Sequence, residues 1–176
     1  MSPLTKVLRA ASAAALMGSF AVVGTATAAA DPGGTGSSAD LNTLAGVMSK
    51  GYGLNNCTAQ QLTQTGELAE LLCGQSPDSN GPAAALYALF DTSTNLASAF
   101  SSTIKDVSMA ACGDAGQSPT TWRQGANGQS AGQVACGTYK NAATITWTTD
   151  AKNVLGHITA SNGDVGSLYQ WWRTNG

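Results

Sequence analysis

The stretch Ala143-Thr144-Ile145-Thr146-Trp147-Thr148 alternates an apolar residue with a threonine. A period of two marks a β-strand with one face on a core, and branched and aromatic side chains suit the extended backbone. The pattern predicts a strand whose threonine face meets water. Upstream, Gln133-Val134-Ala135-Cys136 reads as a second strand that pairs with 143–149, with Lys140-Asn141 in the turn between them. Residues 84–90 are apolar at alternate and intervening positions alike, which predicts a central strand covered on both faces. Residues 67–73 (Glu-Leu-Ala-Glu-Leu-Leu-Cys) have helical propensity, but their place before a Cys-Gly pair matches 133–136, and they are assigned as a strand.

Helices fill the gaps. Leu96, Phe100 and Ile104 recur every four residues behind Asp91-Thr92-Ser93, three residues able to cap a helix. Asp150 is read as the cap of another helix, with Leu155 and Ile158 three apart. A third follows Asn162-Gly163-Asp164 and carries Val165, Leu168, Tyr169, Trp171 and Trp172. A short one runs from Ser38 or Asp40 to about Lys50 with Leu41, Leu44 and Met48 on one stripe. The expected class is α+β, an antiparallel sheet with helices packed on one side.

Two halves echo each other. Each reads cysteine, loop, Cys-Gly, strand, Asp, helix: Cys57, Cys73-Gly74 and Asp91 in the first, Cys112, Cys136-Gly137 and Asp150 in the second. Four cysteines allow three pairings, and a duplication favours Cys57–Cys73 with Cys112–Cys136. The redox setting agrees. Lys6 and Arg9 precede an apolar run from Ala10 to Val23, and Ala28-Ala29-Ala30 ends in a small-residue cleavage pattern before Asp31-Pro32. Residues 1–30 therefore read as a signal peptide, 31–40 as a flexible leader and 41–176 as one disulfide-stapled domain. Export carries the chain to an oxidising compartment where such bridges persist. The expectation is release to the cell envelope or exterior, with no membrane span after cleavage.

Without Lys6 and Arg9, six basic residues face ten acidic ones, a net charge of −4. No basic run exists, which argues against nucleic acid as a partner. No cofactor motif is present, and the cysteines lack C-x-x-C spacing for zinc. Gly128-Gln129-Ser130-Ala131-Gly132 fits G-x-S-x-G, with Asp150 and His157 following in hydrolase order. A nucleophile elbow needs a strand before the serine and a helix after it. Here a polar loop precedes and an extended segment follows, so Ser130 is the alternative reading, not the leading one. His157, the sole histidine, is expected on the surface. Glu67 and Glu70 are expected on opposite faces of their strand, and Asp91 and Asp150 as helix caps. Trp171 and Trp172 are expected to close the core, and Trp147 to pack beneath a helix. Trp122-Arg123, in a Gly- and Ser-rich loop, is the leading candidate contact surface, with Tyr139 and Trp147 as further candidate ligand-binding residues.

A resemblance sharpens the reading. Gly51-Tyr52, Asn56-Cys57, Leu68-Ala69, Cys73-Gly74, Gly81-Pro82, Tyr87, Leu89-Phe90, Leu96, Phe100, Cys112, Pro119, Trp122, Val134, Cys136-Gly137, Trp147-Thr148 and Leu168-Tyr169-Gln170-Trp171-Trp172 occur in that order. The set resembles a small exported domain of mycobacteria and relatives that also forms the extracytoplasmic, sensor-like part of transmembrane Ser/Thr protein kinases. The resemblance covers about 45–176 and implies ligand sensing without catalysis. The chain has no kinase motif: no G-x-G-x-x-G, H-R-D or D-F-G. It also carries Cys112-Gly113-Asp114 where Cys-Pro-Gly is common. The function expected is a secreted, non-catalytic binding or sensor-like module. Its partner would be an envelope component, a small molecule or an exported protein. A structural or host-contact antigen without a ligand site is the further alternative.

Overall fold

A computed structural model describes residues 34–124 and 128–176. The signal peptide and the first residues of the leader lie outside the described residues. The elements are α1 (Ser38–Ala45), β1 (Cys57–Ala59), β2 (Glu67–Cys73), β3 (Ala84–Phe90), α2 (Ser93–Thr103), β4 (Ser108–Ala110), β5 (Thr120–Gln124), β6 (Gln129–Tyr139), β7 (Ala142–Thr149), β8 (Val154–Thr159) and α3 (Val165–Asn175). They form an α+β fold around one eight-stranded antiparallel sheet, ordered β1-β2-β3-β8-β7-β6-β4, with β5 also on β6. Both disulfides form within their own halves, Cys57–Cys73 and Cys112–Cys136.

The segments read as strands are strands. Val134 pairs with Trp147, and Lys140 and Asn141 turn the hairpin at φ of 49° and 66°. Positive φ at both central positions matches the twist of the flanking strands. β3 is central, between β2 and β8. The segment after Asp150 is not the expected helix. A single 3-10 turn leads into β8, which fills the middle of the sheet between β3 and β7. Spacing of three between Leu155 and Ile158 mimicked a helix. Val154, Ile158 and Thr159 are β-branched, Gly156 is a poor helix former, and the segment is buried on both faces. The pseudo-repeat thus holds for the cysteines and paired strands and ends at the second Asp.

The helices divide between the two faces. α1 and α3 cover the side that carries Ala69, Leu71, Tyr87, Val134, Ile145, Trp147 and Ile158. α2 covers the other, through Leu96, Ala99 and Phe100 on Ala88, Phe90, Ala135 and Leu155. The threonine face of β7 is therefore dry, with Thr144, Thr146 and Thr148 all buried. Each hydroxyl finds a partner: Gly137 O, His157 Nδ1 and Asp150 Oδ1 respectively. Burying a hydroxyl is tolerated on that condition.

Capping follows the expected residues with small shifts. Ser37, one residue earlier than expected, caps α1, and that helix ends at Ala45. Thr92 Oγ1 caps α2 through Asn95 N, while Asp91 accepts from the Asn95 side chain. Asp164 caps α3 through Ser167 N, and hydrogen bonds from the Ser167 backbone and side chain hold its carboxyl below the usual carboxylate range. Asp150 caps nothing and accepts instead from Thr148.

The face under α1 and α3 is an aromatic ladder. Tyr52, Tyr87, Trp147, Trp172 and Trp122 follow one another at ring-centroid spacings of 6.0, 6.0, 5.7 and 5.5 Å. Such tilted and edge-on pairs add to the apolar area that each ring buries. Trp147 fits because its cross-strand neighbour is Gly156: a Cβ there would lie 2.2 Å from Cζ2 of the indole. Gly156→Ala is expected to lower stability by about 3 kcal/mol through overpacking, measurable as a lower urea midpoint at unchanged slope.

Candidate functional site

Two clefts flank α3. On one side, β5 and the turn after Cys112 face the helix across a cleft of about 610 Å³. Its walls include Asp114, Thr121, Trp122, Arg123, Tyr169, Trp172 and Arg173. The sheet puts these groups there. β5 pairs along β6, and an extra residue on β6, Ala131, shifts the register between Trp122 and Arg123. Such a bulge adds twist, which tips this end of the strand. From below, Trp122 is pinned: its Nε1 donates to Thr148 O at 2.7 Å. Trp172 meets it edge-on, and Tyr169 lies against Trp172 at 5.6 Å.

The turn forming the far wall depends on Gly113. Its φ is +53°, and a Cβ there would meet the Tyr169 ring at 2.5 Å. Proline, with φ locked near −65°, could not take this conformation. The left-handed turn lets the Cys112 segment sit directly on Tyr169.

Charge in this cleft runs against that of the chain. Arg123 and Arg173, the only arginines among the described residues, both line it. Arg123 Nη1 donates to Gly128 O at 2.7 Å, and the Arg173 guanidinium carbon lies 6.0 Å from the Tyr169 ring centroid. Among the described residues, the hydrogen bonds of both arginines end on a carbonyl or a phenol and leave most of each guanidinium fork open.

The opposite cleft, about 950 Å³, lies between α3 and residues 75–81. It is larger and wholly without cations; Asp78 and Asp164 are its charged groups. Its one aromatic, Trp171, is buried and already donates Nε1 to Asp78 Oδ2. The smaller cleft is the stronger candidate because it joins a partly exposed indole, Trp122, to two exposed guanidiniums, Arg123 and Arg173.

The sequence-derived residues separate in space. Trp122 and Arg123 share the cleft with Tyr169, Trp172 and Arg173. Tyr139 is exposed beside the hairpin turn, with Lys140 over its ring. Trp147 is core, beneath Trp172 of α3. Arg173 escaped notice because an arginine in the last turn of a helix reads as a partner of the helix dipole.

Ser130, Asp150 and His157 do not form a triad. His157 is partly buried rather than a free surface group, with Nδ1 2.8 Å from Thr146 Oγ1 and Nε2 3.2 Å from Thr159 Oγ1. Burial pushes its pKa down to about 4. Its cross-sheet neighbour on β6, through Thr146, is Ala135. Ser130 lies five residues farther along that strand, about 17 Å away at the rise of an antiparallel strand. Both histidine nitrogens are engaged by threonines, and Ser130 sits within a β-ladder rather than on an elbow.

Glu67 and Glu70 also depart from expectation. A bulge at Leu68 puts both on the α2 face, opposite Phe90 and Ala88. Glu67 is fully buried; its Oε2 accepts from the Thr63 and Gln64 amides at 2.8 and 3.0 Å. Its Oε1 has no donor among the described groups apart from whatever proton Glu70 carries. Burial, then a hydrogen bond to Glu67 and the charge of Glu67, push the Glu70 pKa up to about 7.

Among the described residues, no group of three or more His, Cys, Asp or Glu is placed to hold a metal ion, and no helix is long and apolar enough to cross a membrane. No protein-family model, curated protein or solved structure matches the chain.

Proposed function

We propose that this chain is an exported, non-catalytic binding module, sensor-like in the sense its resemblance implies, and that its ligand sits in the cleft between β5 and α3. The observation that carries the reading is the pairing of ring faces with two open guanidiniums. Tyr169 and Trp172 are fixed by the core and Trp122 by its bond to Thr148, so little side-chain freedom is lost on binding. Convergent polar groups beside apolar walls are the usual makeup of a small-molecule seat. The volume also lies within the usual range for one.

The reading is tested with the oxidised protein lacking residues 1–30. Amide and indole NMR signals are followed while a soluble cell-envelope fraction is added. Shifts should concentrate at Thr121, Trp122 and Arg173. The double variant Arg123→Ala, Arg173→Ala should keep its spectral dispersion and bind at least 10-fold more weakly. Shifts confined to the Asp78–Asp164 cleft, or none at all, would refute the assignment.

A further inference from the structure

We infer that the cleft between β5 and α3 selects an acidic saccharide, a ligand that joins a carboxylate to a hydroxyl-bearing ring; the inference rests on the binding role proposed above. Three features converge on that chemistry. The first is charge. The described residues hold two arginines, both in one cleft, on a chain whose net charge is negative. A guanidinium presents a planar fork that matches a carboxylate in two parallel hydrogen bonds. Among the described residues neither arginine is occupied by a carboxylate: Arg123 donates to Gly128 O, and Arg173 reaches the Tyr169 hydroxyl at 3.4 Å.

The second feature is Asp114, the one carboxylate on the cleft wall. It is exposed and none of the side-chain hydrogen bonds uses it. A carboxylate repels a dense polyanion, and it has nothing to accept from a simple aromatic acid. It does accept from ligand hydroxyls. Asp114 therefore favours a ligand whose acidic groups are few and spaced among hydroxyls over a polyphosphate or a benzoate. Thr121, Gln170 and Thr174 add further hydroxyl and amide groups along the same rim.

The third feature is the ring surface. Trp122 is only partly buried, and its NH is already spent on Thr148 O. What remains for a ligand is the apolar face of the indole, suited to the C–H face of a pyranose. Its orientation is set before binding, which spares ordering cost.

The experiment uses three probes on the oxidised protein: a tetrasaccharide of alternating glucuronate and N-acetylglucosamine, neutral chitotetraose, and inorganic phosphate. Binding is read by calorimetry and by the Trp122 indole NMR signal. The acidic tetrasaccharide should bind at least 10-fold more tightly than chitotetraose, and its affinity should fall as salt rises. Arg173→Lys, which keeps the charge and loses the fork, should cost about 10-fold. Asp114→Asn should weaken the tetrasaccharide, which loses its hydroxyl acceptor, and strengthen phosphate, which loses a repelling charge. Equal binding of chitotetraose at Trp122 overturns the acidic class while the binding role stands. Phosphate binding as tight as the tetrasaccharide overturns the saccharide class. If no probe shifts Trp122 but the envelope fraction does, the inference fails alone; if neither does, both readings fall together.

Discussion

Reducing both disulfides is expected to unfold the domain at room temperature. The bridges close loops of 16 and 24 residues. Loop-closure entropy assigns them about 3 and 3.5 kcal/mol, and their sum exceeds the lower end of a typical 5–15 kcal/mol stability. They lie far apart, Cys57–Cys73 across β1 and β2 and Cys112–Cys136 against the inner surface of β6. Five strand spacings of about 4.8 Å separate β1 from β6, so the two contributions should add. Urea denaturation with and without reductant measures the total. The bridges should also differ in function. Cys57–Cys73 pins an edge strand remote from the cleft. Cys112–Cys136 is buried against Tyr169 and anchors the turn at Gly113 and Asp114. Replacing Cys112 and Cys136 with alanine should therefore weaken ligand binding as well as stability, whereas replacing Cys57 and Cys73 should cost stability alone. Equal melting curves in the oxidised and reduced states would refute the stabilising role.

What could be read in the chain, and what could not, divides by the range of the interaction. The hairpin of β6 and β7 was legible because alternation, β-branching and a polar turn all operate within 17 residues. So was the cap at Asp164, where Ser167 answers three positions away. The half-wise cysteine pairing followed from the echo between the halves. β8 was not legible, because its identity as a strand comes from insertion between β3 and β7, contacts with segments far away in sequence. The same insertion misled the reading of three other features. Once β8 occupies the centre and α2 crosses the second face, the threonines of β7 are buried, His157 is partly buried between Thr146 and Thr159, and Asp150 has no helix to cap. Of the candidate site, Trp122 and Arg123 were visible as an aromatic-cation pair in a polar loop. Their partners Tyr169 and Arg173 arrive from the far end of the chain, brought by the packing of α3. The bulge at Leu68 was equally hidden, since one extra residue reverses which face a side chain meets and leaves no mark in composition.

That bulge sets up opposed pH responses. Glu70 has a folded pKa raised from 4.5 to about 7, so its contribution is greatest below pH 4.5 and is lost as pH rises through 7. His157 has a folded pKa lowered from 6.5 to about 4 by burial, so its contribution is complete above pH 6.5 and is lost as pH falls through 4. Between about pH 4.5 and 6.5 the two slopes oppose, each at most about 1.4 kcal/mol per pH unit. Glu70 is half-buried, and solvent screening reduces its share. Around the pair, the strand residues opposite Glu67 and Glu70 are Phe90 and Ala88; α2 contributes no charge there, Asp91 follows Phe90 and is bonded to Asn95, and the turn that carries Asp150 and Lys152 docks at the same end through Phe90 N on Asn153 O. The wild type should therefore change little in stability across the acidic range. Glu70→Gln keeps a donor toward Glu67 Oε1 and removes the titration. It should match the wild type near pH 4, exceed it at pH 8, and expose the acid sensitivity of His157 as a loss approaching 3 kcal/mol between pH 6.5 and 4. His157→Gln should show the converse, a stability that declines from pH 4.5 to 7. Urea midpoints at half-unit steps of pH read both curves. Parallel profiles for wild type and Glu70→Gln would mean that Glu70 titrates as a solvated carboxylate and that the bulge does not create a proton-sharing pair.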